Sequence, residues 1–218
     1  MSSKTRRYEG KDVVVEYDAK RCIHVAECVH GLPGVFEKDR RPWVDADGAA
    51  ADRVTEVVIR CPTGALHFVR KDGGTDEPLP DGNTATLEAD GPIYVKGDID
   101  IVDGEGMLKL RDVRVAFCRC GASQNKPFCD GRHSDVGFSS SGDMANPKER
   151  PEEFSQGGKL TVTPLANGSL RAEGVLEILS ADGGQTSYHD TRAHLCRCGA
   201  SKKKPFCDGS HKETGFTA

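Results

Sequence analysis

The sequence predicts an α+β protein in two parts: a small mixed N-terminal unit, then two β-rich repeats. Three observations predict it. Residues 13–69 alternate short apolar runs with one amphipathic stretch, AAADRVTEVVIR (49–60). Residues 118–133, CRCGASQNKPFCDGRH, return as residues 196–211, CRCGASKKKPFCDGSH. The segments before each copy read as short strands broken by Gly, Asn and Asp turns.

In the first unit VVVEYD (13–18), PWVD (42–45) and ALHFV (65–69) are strand candidates. VAECVHGL (25–32) and residues 49–60 are helix candidates, the second with apolar residues recurring at helical spacing. In the repeats, TATLEA and IYVKGDIDIV correspond to LTVTPL and LRAEGVLEIL. DVRVAFCRCG (112–121) corresponds to DTRAHLCRCG (190–199), and Gly137-Phe138 to Gly215-Phe216. Within each Cys/His stretch the pattern predicts a loop, then a short helix starting at Cys-Asp-Gly. Asp130 and Asp208 are suited to cap it. The expected domains are 1–69, a linker at 70–83, a first repeat at 84–138, a connection at 139–158 and a second repeat at 159–218.

Composition narrows the function. The chain has 218 residues, 36% hydrophobic and 29% charged, with a net charge of −4. That charge gives no reason to expect nucleic acid as partner. No apolar run approaches the roughly 18 residues of a membrane span, and the N-terminus lacks the apolar core of a secretory signal, so the expected location is cytoplasmic. Nine cysteines in such a chain point to metal ligands or catalytic thiols before disulfides. They fall into three groups of three: Cys22, Cys28, Cys61; Cys118, Cys120, Cys129; Cys196, Cys198, Cys207. An odd number in each group suits a metal centre that takes another ligand elsewhere.

Each repeat has the spacing Cys-x-Cys-x8-Cys-x3-His. Zinc can be held tetrahedrally by three cysteines and a histidine, although structural zinc sites commonly separate paired cysteines by two to four residues. A two-iron cluster needs two protein ligands on each iron, and histidine serves on one iron in some such centres. The stretch resembles the CDGSH iron–sulfur family, whose pattern is Cys-x-Cys-x2-(Ser/Thr)-x3-Pro-x-Cys-Asp-Gly-(Ser/Ala/Thr)-His. Cys196, Cys198, Ser201, Pro205, Cys207, Asp208, Gly209, Ser210 and His211 match it throughout. The first copy departs at Arg132, where a small residue is usual. The resemblance implies one [2Fe–2S] cluster on Cys118, Cys120, Cys129 and His133, and a second on Cys196, Cys198, Cys207 and His211. It also implies an intramolecular pseudo-dimer, since family members pair two motifs.

RCIHVAEC (21–28) and RCPTGAL (60–66) form the third group. Cys22 and Cys28 have the spacing of a ferredoxin run with its middle cysteine missing, and Cys61-Pro62 supplies the remote element. The stretch resembles the divergent mono-cluster ferredoxin family at Cys22, His24, Cys28, Pro33, Phe36, Pro42-Trp43, Cys61-Pro62 and Gly64-Ala65-Leu66. The resemblance implies one [3Fe–4S] or [4Fe–4S] cluster on Cys22, Cys28 and Cys61, with His24 the nearest candidate for a fourth ligand.

The full expectation is therefore α+β: a small ferredoxin-like N-terminal domain followed by two β-rich CDGSH repeats packed as an intramolecular pseudo-dimer, in a monomer. The expected function is one-electron transfer by a multi-cluster iron–sulfur protein. Its His-ligated [2Fe–2S] centres would be linked to protons, because imidazole titrates near neutrality. The alternative is cluster storage or transfer, or redox sensing; a zinc-stapled scaffold is a third class. The expected partner is a reductase or acceptor protein, or an apo-acceptor of clusters, with no nucleic acid and no membrane. No nucleotide fingerprint or nucleophile triad is present, so no enzyme activity is expected. Arg119 and Arg197 lie between paired cysteines, where they can offset cluster charge. Lys202, Lys203 and Lys204 read as a solvated loop, with steering of an acidic partner as the other reading. Trp43 is expected in the core, His30, His67 and His189 as ordinary residues, and His194 outside the ligand set.

Overall fold

The computed structural model describes residues 5–151 and 157–218. The chain divides into two compact units, 1–78 and 79–218. It is mostly β.

In the first unit β1 (Arg6–Glu9), β2 (Val13–Tyr17) and β3 (Leu66–Arg70) make an antiparallel sheet in that order. Two helices complete it: α1 (Glu27–Gly31) and α2 (Ala51–Val58). The helix expected at 49–60 forms because Val54, Val57 and Val58 fall on one face, and all three are buried. They join Val13, Val15, Phe36, Val44 and Leu66 in one core. The expected strand at 42–45 is reduced to a single bridge, Phe36 to Val44. Trp43 packs edge-on to Tyr17 at 4.9 Å and is only half-buried. β1 was not expected; RRYE carries a strand signal too polar to read, and it is held by pairing Arg6–Glu9 against Tyr17–Val14.

The second unit is an eight-stranded sheet built by both repeats. The first contributes β4 (Thr84–Leu87), β5 (Ile93–Val102) and β6 (Leu108–Phe117). The second contributes β7 (Lys159–Pro164), β8 (Leu170–Glu173), β9 (Leu176–Leu179), β10 (Thr186–His189) and β11 (Arg192–Leu195). β8–β9 and β10–β11 are β5 and β6 interrupted. β5 alternates buried and half-exposed residues, the period-2 pattern of a sheet with one face on the core. At Lys96/Ile99, beside Gly97, its register against β6 shifts. In the second copy Gly174 stands at the matching place, and there the strand breaks.

Each repeat lends a strand to the other. β4 pairs in parallel with β9, Thr84 opposite Glu177 and Ala85 opposite Ile178. β7 pairs in parallel with β5, Thr161 opposite Asp100 and Val162 opposite Ile101. These registers are equivalent when Gly91 is aligned with Gly168. Side chains of both repeats, among them Leu87, Ile99, Phe117, Leu160, Ile178 and Leu195, share one core. Fully burying each such side chain contributes about 1.5–3 kcal/mol.

The stretches at 70–83 and 139–158 are not loose where described. Buried Asn83 donates to Gly158 O and Val175 O and accepts from Asp98 N, so it ties the first repeat to the second. Met144 is buried in the shared core, and Lys148 N bonds Ser187 Oγ. Residues 152–156 of the connection lie outside the described residues.

The two Cys/His loops meet backbone to backbone. Gly121 has φ 80°, and a Cβ there would stand 2.7 Å from Cys198 O. Gly199 has φ 82°, and its Cβ would stand 2.8 Å from Cys120 O. No side chain fits either gap, and the left-handed backbone itself favours glycine. Gly121→Ala is therefore expected to destabilise the second unit by about 1–3 kcal/mol, read by thermal or denaturant unfolding. An unchanged midpoint would show that the loops part without cost.

His189 is buried, its Nε2 3.2 Å from Ser187 Oγ and its ring 5.2 Å from that of Phe206. Burial, then the Lys148 charge, pushes its pKa below the ordinary value, with Asp190 opposing. The unfolded chain thus binds more protons, and stability should fall as pH drops below about 6.5. His189→Gln should flatten that acid-side slope in denaturant titrations; an unaltered slope would assign it to other groups.

Candidate metal centres

The repeat loops are built alike, and each motif residue has a structural reason. Cys118 N bonds Pro127 O and Cys129 N bonds Ala116 O; Cys196 N bonds Pro205 O and Cys207 N bonds His194 O. These bonds fold the loop back on the end of β6 or β11. Ser123 Oγ donates to Phe128 O at 2.7 Å, and Ser201 Oγ to Phe206 O at 2.6 Å. Asp130 accepts Gln124 N and Arg132 N; Asp208 accepts Lys202 N and Ser210 N. The aspartates cap as expected, but what they cap is not a helix in the first copy. There residues 132–137 form turns, and in the second only Ser210–Lys212 makes a short 3-10 helix. The glycine of each Cys-Asp-Gly stretch is left-handed, at φ 90° and 92°, so no α-helix runs on from the aspartate.

Arg132 changes one detail of the first loop. Ser210 Oγ donates to Asp208 at 2.6 Å, and this bond, followed by backbone N–H groups, holds the Asp208 carboxyl below its ordinary range. In the first copy Arg132 Nε stands 3.4 Å from Asp130 Oδ2 instead. The carboxylate is anchored in both.

The expected ligands come together in pairs. Cys118 Sγ lies 3.6 Å from Cys120 Sγ, and Cys129 Sγ 3.4 Å from His133 Nδ1. In the second loop the distances are 3.8 Å for Cys196–Cys198 and 3.4 Å for Cys207–His211. Two thiolates bound tetrahedrally at about 2.3 Å stand roughly 3.8 Å apart; a thiolate and an imidazole stand roughly 3.5 Å apart. Each pair thus matches two ligands on one metal. Among the described residues no three His, Cys, Asp or Glu side chains gather to hold a single ion.

The thiols are prepared for charge. Ala122 N points at Cys120 Sγ and Gly131 N at Cys129 Sγ, each at 3.4 Å. Cys118 is pulled down to about 6, first by the hydrogen bond from Cys120, with burial opposing and smaller help from backbone N–H groups. Cys120 rises in the same exchange. Burial pushes Cys129 up to about 11 and also raises Cys196, so these thiols need a positive centre to ionise. His133 and His211 are half-buried beside exposed turns.

Arg119 and Arg197 are buried, 3% exposed each. Arg119 donates to Gly91 O and Glu88 O; Arg197 donates to Gly168 O and Leu165 O, the equivalent carbonyls. Phe138 covers Arg119 at 5.5 Å and Phe216 covers Arg197 at 5.3 Å, which gives the repeated Gly-Phe pair its purpose. Lys204 Nζ bonds Ser201 O, as Lys126 Nζ bonds Ser123 O, so Lys204 serves its own loop; Lys202 and Lys203 are exposed. His194 bonds Ser169 Oγ and joins no thiol pair.

In the first unit Cys22, Cys28 and Cys61 line one apolar cavity with Tyr17 and Trp43. Burial, then the Cys61 charge, pushes Cys28 up to about 11. Three thiols lining one cavity suit an iron–sulfur group that supplies positive charge. His24 lines the same cavity but is exposed, with φ 60°. Tyr17 is a member that spacing did not reveal: it lines the cavity beside Cys22, and burial followed by that thiol raises its pKa. Its signal in the sequence is only an aromatic at a strand end.

Comparison with known proteins agrees with this division. The family described as "Divergent 4Fe-4S mono-cluster" matches residues 8–71, and that described as "Iron-binding zinc finger CDGSH type" matches residues 90–134 and 167–212. The uncharacterized protein YjdI of Escherichia coli (strain K12) is 33% identical over 66 residues, 30% of this chain and 87% of the relative. YjdI of Escherichia coli O157:H7 matches to the same extent. No solved structure matches. The chain belongs to the divergent 4Fe-4S mono-cluster family through its first unit, and carries two iron-binding CDGSH regions in its second.

Proposed function

We propose that the protein is a one-electron carrier with three iron–sulfur centres: two [2Fe–2S] clusters in the repeats and one [3Fe–4S] or [4Fe–4S] cluster in the first unit. The observation that carries this reading is the pairing of ligands at 3.4–3.8 Å, made twice. Bound clusters would supply one-electron redox chemistry that no side chain offers.

The chain's own residues supply the rest. Cys118, Cys120, Cys129 and His133 hold the first site; Cys196, Cys198, Cys207 and His211 hold the second. Cys22, Cys28 and Cys61 hold the third, with exposed His24 available at its lip. Backbone N–H groups aimed at sulfur favour the anionic state. Burial of Cys118, Cys129 and Cys196 keeps water from the inner ligands. The histidines are the ligands through which protons would act, because imidazole exchanges a proton for a metal near neutrality. The equivalent strand exchange supports reading the repeats as a pseudo-dimer within a monomer. The partner in this reading is a reductase or acceptor protein met in the cytoplasm; among the described residues no helix is long and apolar enough to cross a membrane.

A second reading, delivery of a cluster to an apo-acceptor, is favoured by one observation. In each loop the histidine sits beside exposed turn residues, Ser134 and Asp135 or Lys212 and Glu213. It predicts acid-promoted transfer faster than spontaneous decay.

Iron, zinc and acid-labile sulfide on anaerobically purified protein test the first reading. About 7 irons with about 8 sulfides are expected for a [3Fe–4S] centre in the first unit, or about 8 of each for a [4Fe–4S] centre; about 4 of each would leave the first unit without its cluster, and zinc without sulfide would overturn the redox reading. His211→Cys should lower the potential of the second site and slow its loss in acid. Unmoved potential and stability would remove His211 from the ligand set.

A further inference from the structure

The first unit carries its thiols on separate stretches of chain, and two of these stretches meet at one buried residue. Cys22 lies on the stretch after β2, and Cys61 on the stretch before β3. Arg21, beside Cys22, is buried, and its Nη2 donates to Thr63 O at 2.6 Å. Asp18 N bonds Ala65 O at 2.8 Å close by. Thr63 is thereby held where the two stretches join, and it is only 3% exposed.

The Thr63 hydroxyl has two neighbours. Ala65 N donates to its Oγ1 at 3.1 Å, closing a turn that Gly64 permits with φ 64°. Cys61 Sγ lies 3.4 Å from the same oxygen. A hydroxyl has one proton to give and lone pairs to receive. Ala65 occupies a lone pair and leaves the proton for the sulfur. A cysteine that binds metal does so as thiolate, without a proton. In a loaded site the hydroxyl is therefore the donor of this pair.

We propose that Thr63 is a positioning residue that acts through Cys61: its hydroxyl donates to the Cys61 sulfur and raises the reduction potential of the first unit's iron–sulfur centre. The inference rests on the iron–sulfur reading above. Reduction places more negative charge on the sulfurs, and a hydrogen bond to the more charged form favours that form. Removing the hydroxyl should lower the potential.

The test uses the full chain with its centres loaded. Thr63→Val puts a methyl group where the hydroxyl stands; Thr63→Ser keeps the hydroxyl. Potentiometric titration followed by electron paramagnetic resonance, at temperatures that separate a multi-iron centre from two-iron ones, reads the first unit apart from the repeats. Thr63→Val should shift the first unit's potential downward, with iron content unchanged and the repeats' potentials unmoved. Thr63→Ser should stay near the parent value. An unmoved potential in Thr63→Val would overturn the proposal. So would an equal shift in Thr63→Ser, which would trace the effect to side-chain shape, or an equal shift in the repeats. Loss of the first unit's iron from Thr63→Val would assign Thr63 to the turn at Ala65 and overturn it as well. A parent chain with only about 4 irons would instead defeat the reading of the first unit, a result distinct from any of these.

Discussion

The contact between Cys120-Gly121 and Cys198-Gly199 constrains the second unit more than any other. Two loops meet with no side chain between them, and each presents its carbonyl to the other's glycine. The approach fixes where the thiol pairs sit. The sheet beneath must hold two loops in register for this to occur, and the exchanged strands do so. β4 and β7 each cross to the other repeat, so the loops stand on one continuous platform.

Much of the candidate chemistry was legible in the sequence because ligands declare themselves by type and spacing. Cys-x-Cys-x8-Cys-x3-His is a local pattern, and local patterns survive folding; the eight residues stand as two close pairs in each loop. Asp130 and Asp208 were legible as caps for the same reason. The helix they were to cap was not, because glycine and the backward reach of each Asp favour a turn. The strand exchange was illegible: a repeat announces that two units are similar, not which unit owns which neighbour. Tyr17 was hidden for a like reason, its place beside Cys22 being made by a strand end meeting a loop.

The two copies are not identical, and their differences fall outside the ligands. Arg132 replaces the serine that holds Asp208, yet Asp130 is still anchored. β5 is continuous where β8 and β9 are separate. Asn83, with bonds to both repeats, has Leu160 as its counterpart. Drift of this kind is tolerated where a substitute bond exists. At Gly121 and Gly199, where none can exist, both copies keep glycine.

The exchange of strands bears on how the chain is made. During synthesis the first repeat emerges before β7 and β9 exist, so β4 and the far half of β5 have no parallel neighbours. The shared core closes only after residue 195 has left the ribosome, because Leu195 belongs to it. A product truncated before β7 would therefore leave β4 and the far half of β5 without their parallel neighbours.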